Sequence, residues 1–167
     1  TPVPSSRSRK LGRIVLWSAT LDATALRLQD LAADERIRRI AIANPRHAPY
    51  GMRAVEALRA SQQYQALAPR LIYGETVAHA AQFVDSGNAQ VGIIALALAL
   101  NPELSAKGGY WLIPEELHEP LEQGFIVTRR GADNPLAHRF AAFMNSSTAR
   151  TVMVRHGFVL PALSDEP

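Results

Sequence analysis

Ile40-Ala41-Ile42-Ala43-Asn44-Pro45-Arg46-His47-Ala48-Pro49-Tyr50-Gly51 is the stretch whose reading decides the fold. Ile40 to Ala43 make a short, partly β-branched apolar run, the pattern of a buried strand, and Asn44-Pro45 breaks it into a turn. Pro49 keeps the chain extended just before Tyr50-Gly51, after which Met52, Val55 and Leu58 recur at helical spacing with Ala54 and Ala57 among them. The order is strand, rigid loop, helix start, with the helix expected to end near Ser61. The first amides of such a helix have no internal acceptor and sit at the positive end of its dipole, so they can hold an anion without a charged side chain. An ordinary βα connection, with water or a cap on those amides, has the same local pattern.

The logic repeats downstream. Leu71-Ile72-Tyr73 reads as a short strand and Gly74-Glu75-Thr76 as a turn with Thr76 as N-cap. Val77, Ala80, Ala81 and Val84 mark one face of a helix stopped by Ser86-Gly87-Asn88, and Val91 to Ala95 is a further strand. Alternating strands and helices predict a parallel sheet, whose loops gather at the strand C-termini where ligands bind. The helix starts at Tyr50 and Val77 are therefore expected to face one pocket.

The 167 residues, 47% of them hydrophobic, suffice for one packed domain or two small lobes. No apolar run approaches the roughly 20 residues of a membrane span, and Ile14-Val15-Leu16-Trp17 is too short for the core of an export signal. Cysteine is absent, which excludes disulfides and thiolate metal sites. The net charge of +3 comes mainly from scattered arginines. The clusters Arg7-Ser8-Arg9-Lys10 and Arg36-Ile37-Arg38-Arg39 have no interleaved aromatics, so they read as solvated surface and not as a nucleic-acid interface. Enzyme motifs are missing: there is no nucleophile elbow, phosphate-binding Gly-Lys-Ser/Thr loop or metalloprotease histidine pair. Glu75 and His79 lie four apart but have no third metal ligand, His47 reads as a loop-packing or exposed residue, and Glu115, Glu116 and Glu119 read as a solvated loop.

Along the rest of the chain, Thr1 to Lys10 is expected to be a loose arm, Arg13 to Ser18 a strand buried on both faces, and Leu26 to Leu31 a short helix. The connection through Tyr64 and Pro69 is expected to be irregular, Leu96 to Leu100 is ambiguous, Tyr110 to Ile113 reads as a strand and Phe125-Ile126-Val127 as a returning strand. Asn134 with Pro135 starts a helix carrying Leu136, Phe140, Phe143 and Met144 on one face. Ser146 or Ser147 caps a second helix with Ala149, Val152, Met153 and His156 on a side, ended by Gly157.

Several of these segments, in order, closely resemble the periplasmic molybdate-binding proteins of ABC importers: Ala43 to Gly51, Tyr73 to Val77, Gln82 to Ala89, Gly92 to Leu96, Gly109-Tyr110-Trp111, Pro120 to Gly124, and His156 to Pro161. The resemblance covers most of the chain from Gly12 onward. It implies an α/β fold of the type II periplasmic-binding-protein kind, with 1–12 as arm and hinge entry, 13–120 as a complete second lobe, and 121–167 as the C-terminal part of the first lobe. It also implies that the oxyanion, molybdate or tungstate, is held by neutral groups, among them the backbone N–H groups of Tyr50 and Val77. No cofactor, catalytic residue or metal-cation ligand is implied. The implied partner is the membrane permease of an importer, the implied compartment the periplasm. The serine or threonine contacts that the family carries in its N-terminal part have no counterpart here, so the chain reads as an N-terminally truncated member whose binding is weakened or lost. Its last two helices are then expected to expose Phe140, Phe143, Val152 and Met153, so that the chain self-associates or is partly molten. A ligand-sensing regulatory domain of the same fold is the alternative reading.

Overall fold

The computed structural model describes residues 10–161. In chain order its elements are β1 (Lys10–Gly12), β2 (Ile14–Ser18), β3 (Ile40–Ala43), α1 (Pro49–Ala60), α2 (Tyr64–Leu67), β4 (Leu71–Gly74), α3 (Val77–Asp85), β5 (Val91–Ala95), α4 (Leu96–Ala99), α5 (Pro102–Ser105), β6 (Gly109–Leu112), β7 (Leu121–Gln123), α6 (Pro135–Phe143) and α7 (Ser147–Arg155). Short 3-10 turns lie at Leu28–Asp30, Ala68–Arg70, Glu115–Leu117 and Arg129–Gly131.

Five strands form one mixed sheet in the order β4-β3-β5-β2-β6. β3 runs parallel to both β4 and β5, while β2 is antiparallel to β5 and β6. Side chains alternate across the sheet with period two, so each strand feeds two cores. Ile14 and Leu16 of β2, Ile40 and Ile42 of β3, and Val91 and Ile93 of β5 pack with Ala54, Val55 and Leu58 of α1. Val15, Trp17, Ala41 and Ile94 turn the other way, onto Ala80, Ala81 and Val84 of α3. All five residues of β2 are buried, as a continuous apolar run in a sheet covered on both faces requires. Each fully buried Ile, Leu or Val side chain contributes about 1.5–3 kcal/mol.

The two helices take opposite faces for a topological reason. From β3 the chain steps outward to β4, then returns past β3 to β5; crossovers of one hand place successive helices on opposite faces when the direction of travel reverses. β3 and β4 are therefore neighbours whose following helices diverge, which opens a crevice beyond their C-terminal ends.

Outside this sheet, β1 and β7 form an antiparallel ribbon, extended by a bridge between Leu11 and Val159. Lys10, expected to be the last residue of a loose arm, is instead part of β1: it is 7% exposed and pairs with Gln123, with its ammonium 5.2 Å from the centre of the Phe125 ring. Thr1 to Arg9 lie outside the described residues. The returning strand expected at Phe125-Ile126-Val127 lies instead at Leu121–Gln123. Leu121 is buried in the core while Ile126 is 74% exposed, so the strand forms where β1 offers a partner and not where residues are most β-branched. The connection through Tyr64 and Pro69 is not irregular but holds α2 and a 3-10 turn, closed over buried Leu67. The ambiguous Leu96–Leu100 run is the single turn α4, followed by α5 under an Asn101 cap.

α6 and α7 begin as expected. The Asn134 side chain accepts from the Leu136 amide and that of Ser146 from the Ala149 amide, and Gly157 closes α7 at φ +79°. Leu136, Phe140 and Phe143 of α6 remain half or more exposed.

The close seat of α1 on β3 depends on Gly51. A Cβ there would stand 2.0 Å from the Ala43 carbonyl oxygen, a backbone atom that cannot rotate aside. Gly51→Ala is expected to destabilise the fold by about 1–3 kcal/mol, through overpacking. Urea unfolding measures it, and an unchanged midpoint would show that α1 can shift without cost.

Candidate functional site

The crevice beyond β3 and β4 is closed at its base by main-chain bonds. The Asn44 amide donates to the Gly74 carbonyl at 2.8 Å, continuing the parallel ladder by one residue and holding the two outgoing loops together. Asn44 also organises its own loop, since its side-chain oxygen accepts from the Arg46 amide at 3.0 Å and its carbonyl from the amides of His47 and Ala48. This is an Asx turn, the reason Asn-Pro ends the strand so sharply.

The first turn of α1 has an unusual donor inventory. Ala48 stands at the N-cap without a side chain able to cap, and Pro49 carries no N–H. The amides of Gly51 and Met52 both donate to the Ala48 carbonyl, at 3.0 and 3.1 Å. That leaves the Tyr50 amide with no acceptor among the described residues. In α3 the Thr76 hydroxyl accepts from the His79 amide at 3.1 Å and its carbonyl from the Ala80 amide at 3.0 Å. Among the described residues, the amides of Val77 and Ala78 have no acceptor. Tyr50, Val77 and Ala78 thus supply three backbone donors at two helix starts on one edge of the sheet. Ala78 was not singled out by the sequence, although a cap at Thr76 leaves both amides that follow it without a partner.

His47 braces the two loops. Its Nε2 lies 3.1 Å from the Glu75 carbonyl oxygen and 3.4 Å from the Glu75 carboxylate, and the Glu75 amide in turn donates to His79 Nδ1 at 3.3 Å. His47 is both half exposed and in contact with the neighbouring loop, in keeping with the loop-packing or exposed role expected of it, and its partner is one that the parallel pairing of β3 and β4 brings near. His79 stacks on Phe83, ring centres 4.5 Å apart. Among the described residues no three His, Asp or Glu side chains gather as metal ligands. Of the three glutamates expected as a solvated loop, Glu115 pairs with Arg13 at 3.0 Å, and the backbone amide of Glu119 donates to Glu56.

The Tyr50 side chain leaves the crevice and reaches the β1–β7 ribbon, where Gln123 Nε2 donates to its hydroxyl oxygen at 2.7 Å. Burial raises the phenol pKa above its ordinary value, against the opposing pull of that hydrogen bond, so the hydroxyl is neutral at physiological pH.

The profile described as "Bacterial extracellular solute-binding protein" matches residues 6–159. The chain belongs to that family. It is 33% identical over 153 residues to the molybdate-binding protein ModA of Azotobacter vinelandii, covering 90% of this chain and 59% of that protein. With ModA of Rhodobacter capsulatus it shares 30% identity over 149 residues, covering 89% and 57%. The chain thus spans less than two thirds of the length of these relatives. Its structure superposes on the Azotobacter vinelandii periplasmic molybdate-binding protein with a TM-score of 0.82 at 29% sequence identity, covering 93% of this chain and 69% of the other. The fold of this family member is accordingly α/β, of the type II periplasmic-binding kind.

Proposed function

We propose that the chain binds a tetrahedral oxyanion, molybdate or tungstate, in the crevice beyond β3 and β4, with the backbone N–H groups of Tyr50 and Val77 as donors. The observation that carries this is the inventory of the two helix starts: among the described residues, an uncapped α1 and a singly capped α3, which follow adjacent parallel strands, leave amides without acceptors. Two helix N-termini that follow neighbouring parallel strands favour an anion there without a cationic side chain. The names of the ModA relatives supply the identity of the anion, and the geometry agrees with it. In this reading 13–120 is one lobe of a two-lobed binding protein and 121–167 part of the other. The chain acts as a solute-binding component without enzymatic activity, handing molybdate to the membrane permease of an ABC importer from the periplasm. Among the described residues no helix is long and apolar enough to cross a membrane.

Fixed N–H donors suit an anion with no proton of its own, because a protonated oxyanion also needs an acceptor for its O–H. Phosphate is largely monoprotonated or diprotonated at neutral pH, whereas molybdate is a bare dianion. Isothermal titration at pH 7 is expected to give heat with molybdate and tungstate and at least ten-fold weaker binding, about 1.4 kcal/mol, with phosphate. Equal affinities would remove the selectivity claim, and no heat with any of the three would remove the oxyanion itself.

A further inference from the structure

We propose that the Tyr50 hydroxyl is a positioning group: it fastens the anion-facing first turn of α1 to Gln123 on the β1–β7 ribbon, so that ligand affinity depends on a contact made outside the crevice. This rests on the oxyanion reading above. Tyr50 is two-ended, with its unpartnered amide in the first turn of α1 and its phenol oxygen 2.7 Å from Gln123 Nε2.

The ribbon is shaped to receive the hydroxyl. Lys10 pairs with Gln123 and Gly12 with Leu121, so the alternation of side chains puts Gly12, Leu121 and Gln123 on one face. Leu121 on that face is buried in the core that α1 covers. A Cβ at Gly12 would lie 2.7 Å from the Tyr50 hydroxyl oxygen and 3.2 Å from Gln123 Nε2, so a bare glycine leaves the space the pair occupies. A second tie lies two turns along the same side of α1, where Glu56 accepts from the Glu119 amide at 2.9 Å and pairs with Arg53. Positions 50, 53 and 56 follow the i, i+3 spacing of one helix face. α1 is thus anchored beneath by β3 and alongside by the segment 119–123.

The consequence falls on the amide. Gly51 and Met52 hold the first turn only through the Ala48 carbonyl, and no side chain caps it. Without the phenol contact the turn keeps one anchor and can fray, and the Tyr50 N–H loses its fixed direction. A donor that must be reoriented at binding costs affinity in proportion to the lost preorganisation.

The test compares Tyr50→Phe, Gln123→Leu and the double variant by titration with sodium molybdate and by thermal melting with and without it. Tyr50→Phe keeps both the backbone amide and the ring. Each single change is expected to weaken molybdate binding about three- to ten-fold, the worth of one neutral hydrogen bond, and the double variant to be no weaker than either. Gly12→Ala, which displaces the hydroxyl from the ribbon side, should weaken binding in the same direction. A contact serving stability alone would lower the melting temperature equally with and without molybdate and leave Kd at the wild-type value. That result overturns the proposal while the oxyanion reading stands, provided Val77→Pro still loses affinity. If Val77→Pro binds like wild type as well, or the wild-type chain takes up no molybdate, the oxyanion reading fails and this proposal falls with it.

Discussion

Val77→Pro is expected to weaken molybdate binding about ten-fold to more than a hundred-fold, the loss of one charge-assisted hydrogen bond of roughly 1.5–3 kcal/mol. The local geometry makes this an unusually clean substitution. Val77 is the first residue of α3, where proline is favoured because its missing N–H breaks no helical bond. Thr76 before it is extended, at φ −129° and ψ 166°, the conformation that a following proline demands. The Thr76 cap on the His79 amide does not involve Val77, so the start of α3 survives. Val77→Ala keeps the donor and removes only part of a half-buried side chain, and should weaken binding by no more than about two-fold, within the range of a modest packing change. Circular dichroism shows whether both variants fold, and titration gives the affinities. Equal losses in the two would mean that the side chain, and not the amide, meets the ligand. Tyr50 allows no such test: it follows Pro49 inside the helix, and a second proline would push Pro49 out of its helical conformation.

What was legible in the sequence were the places where local chemistry leaves the backbone little choice. Asn44-Pro45 ends β3, Pro49 and Gly51 begin α1, and Thr76 begins α3, each within a residue of where the sequence puts it. The two helix starts could be named, and their sharing of one edge inferred from the alternation of strand and helix. The strand order could not be: that β3 and β4 are neighbours with helices on opposite faces depends on pairing between distant segments. The same blindness hid the His47 and Glu75 brace, 28 residues apart, and the Tyr50 and Gln123 contact, 73 residues apart. The misplaced returning strand has the same cause. Phe125-Ile126-Val127 has the stronger β propensity, but Leu121–Gln123 meets β1, and a tertiary partner outweighs a propensity scale that spans about 1 kcal/mol.

The apolar stripe of α6 is expected to make the 167-residue polypeptide self-associate. Leu136, Phe140 and Phe143 recur at i, i+4, i+7 on one helix face and are 65%, 61% and 50% exposed, with the two phenylalanine rings 6.5 Å apart. Val152 of α7 adds a further half-exposed side chain, whereas Ala149 is the one residue of that helix that is buried. A two-fold contact counts each such residue twice. Eight half-exposed side chains gaining roughly 1–1.5 kcal/mol apiece give on the order of 10 kcal/mol, against a cost of association of about 4 kcal/mol or more. The difference corresponds to dissociation constants near the micromolar range at best. Multi-angle light scattering across micromolar concentrations should show mass rising with concentration, and Phe140→Lys with Phe143→Ser should return the chain to a monomer with no loss of helix content. A monodisperse monomer at all concentrations, unchanged by the double substitution, would show that α6 tolerates its stripe in water and that nothing in this polypeptide needs to cover it.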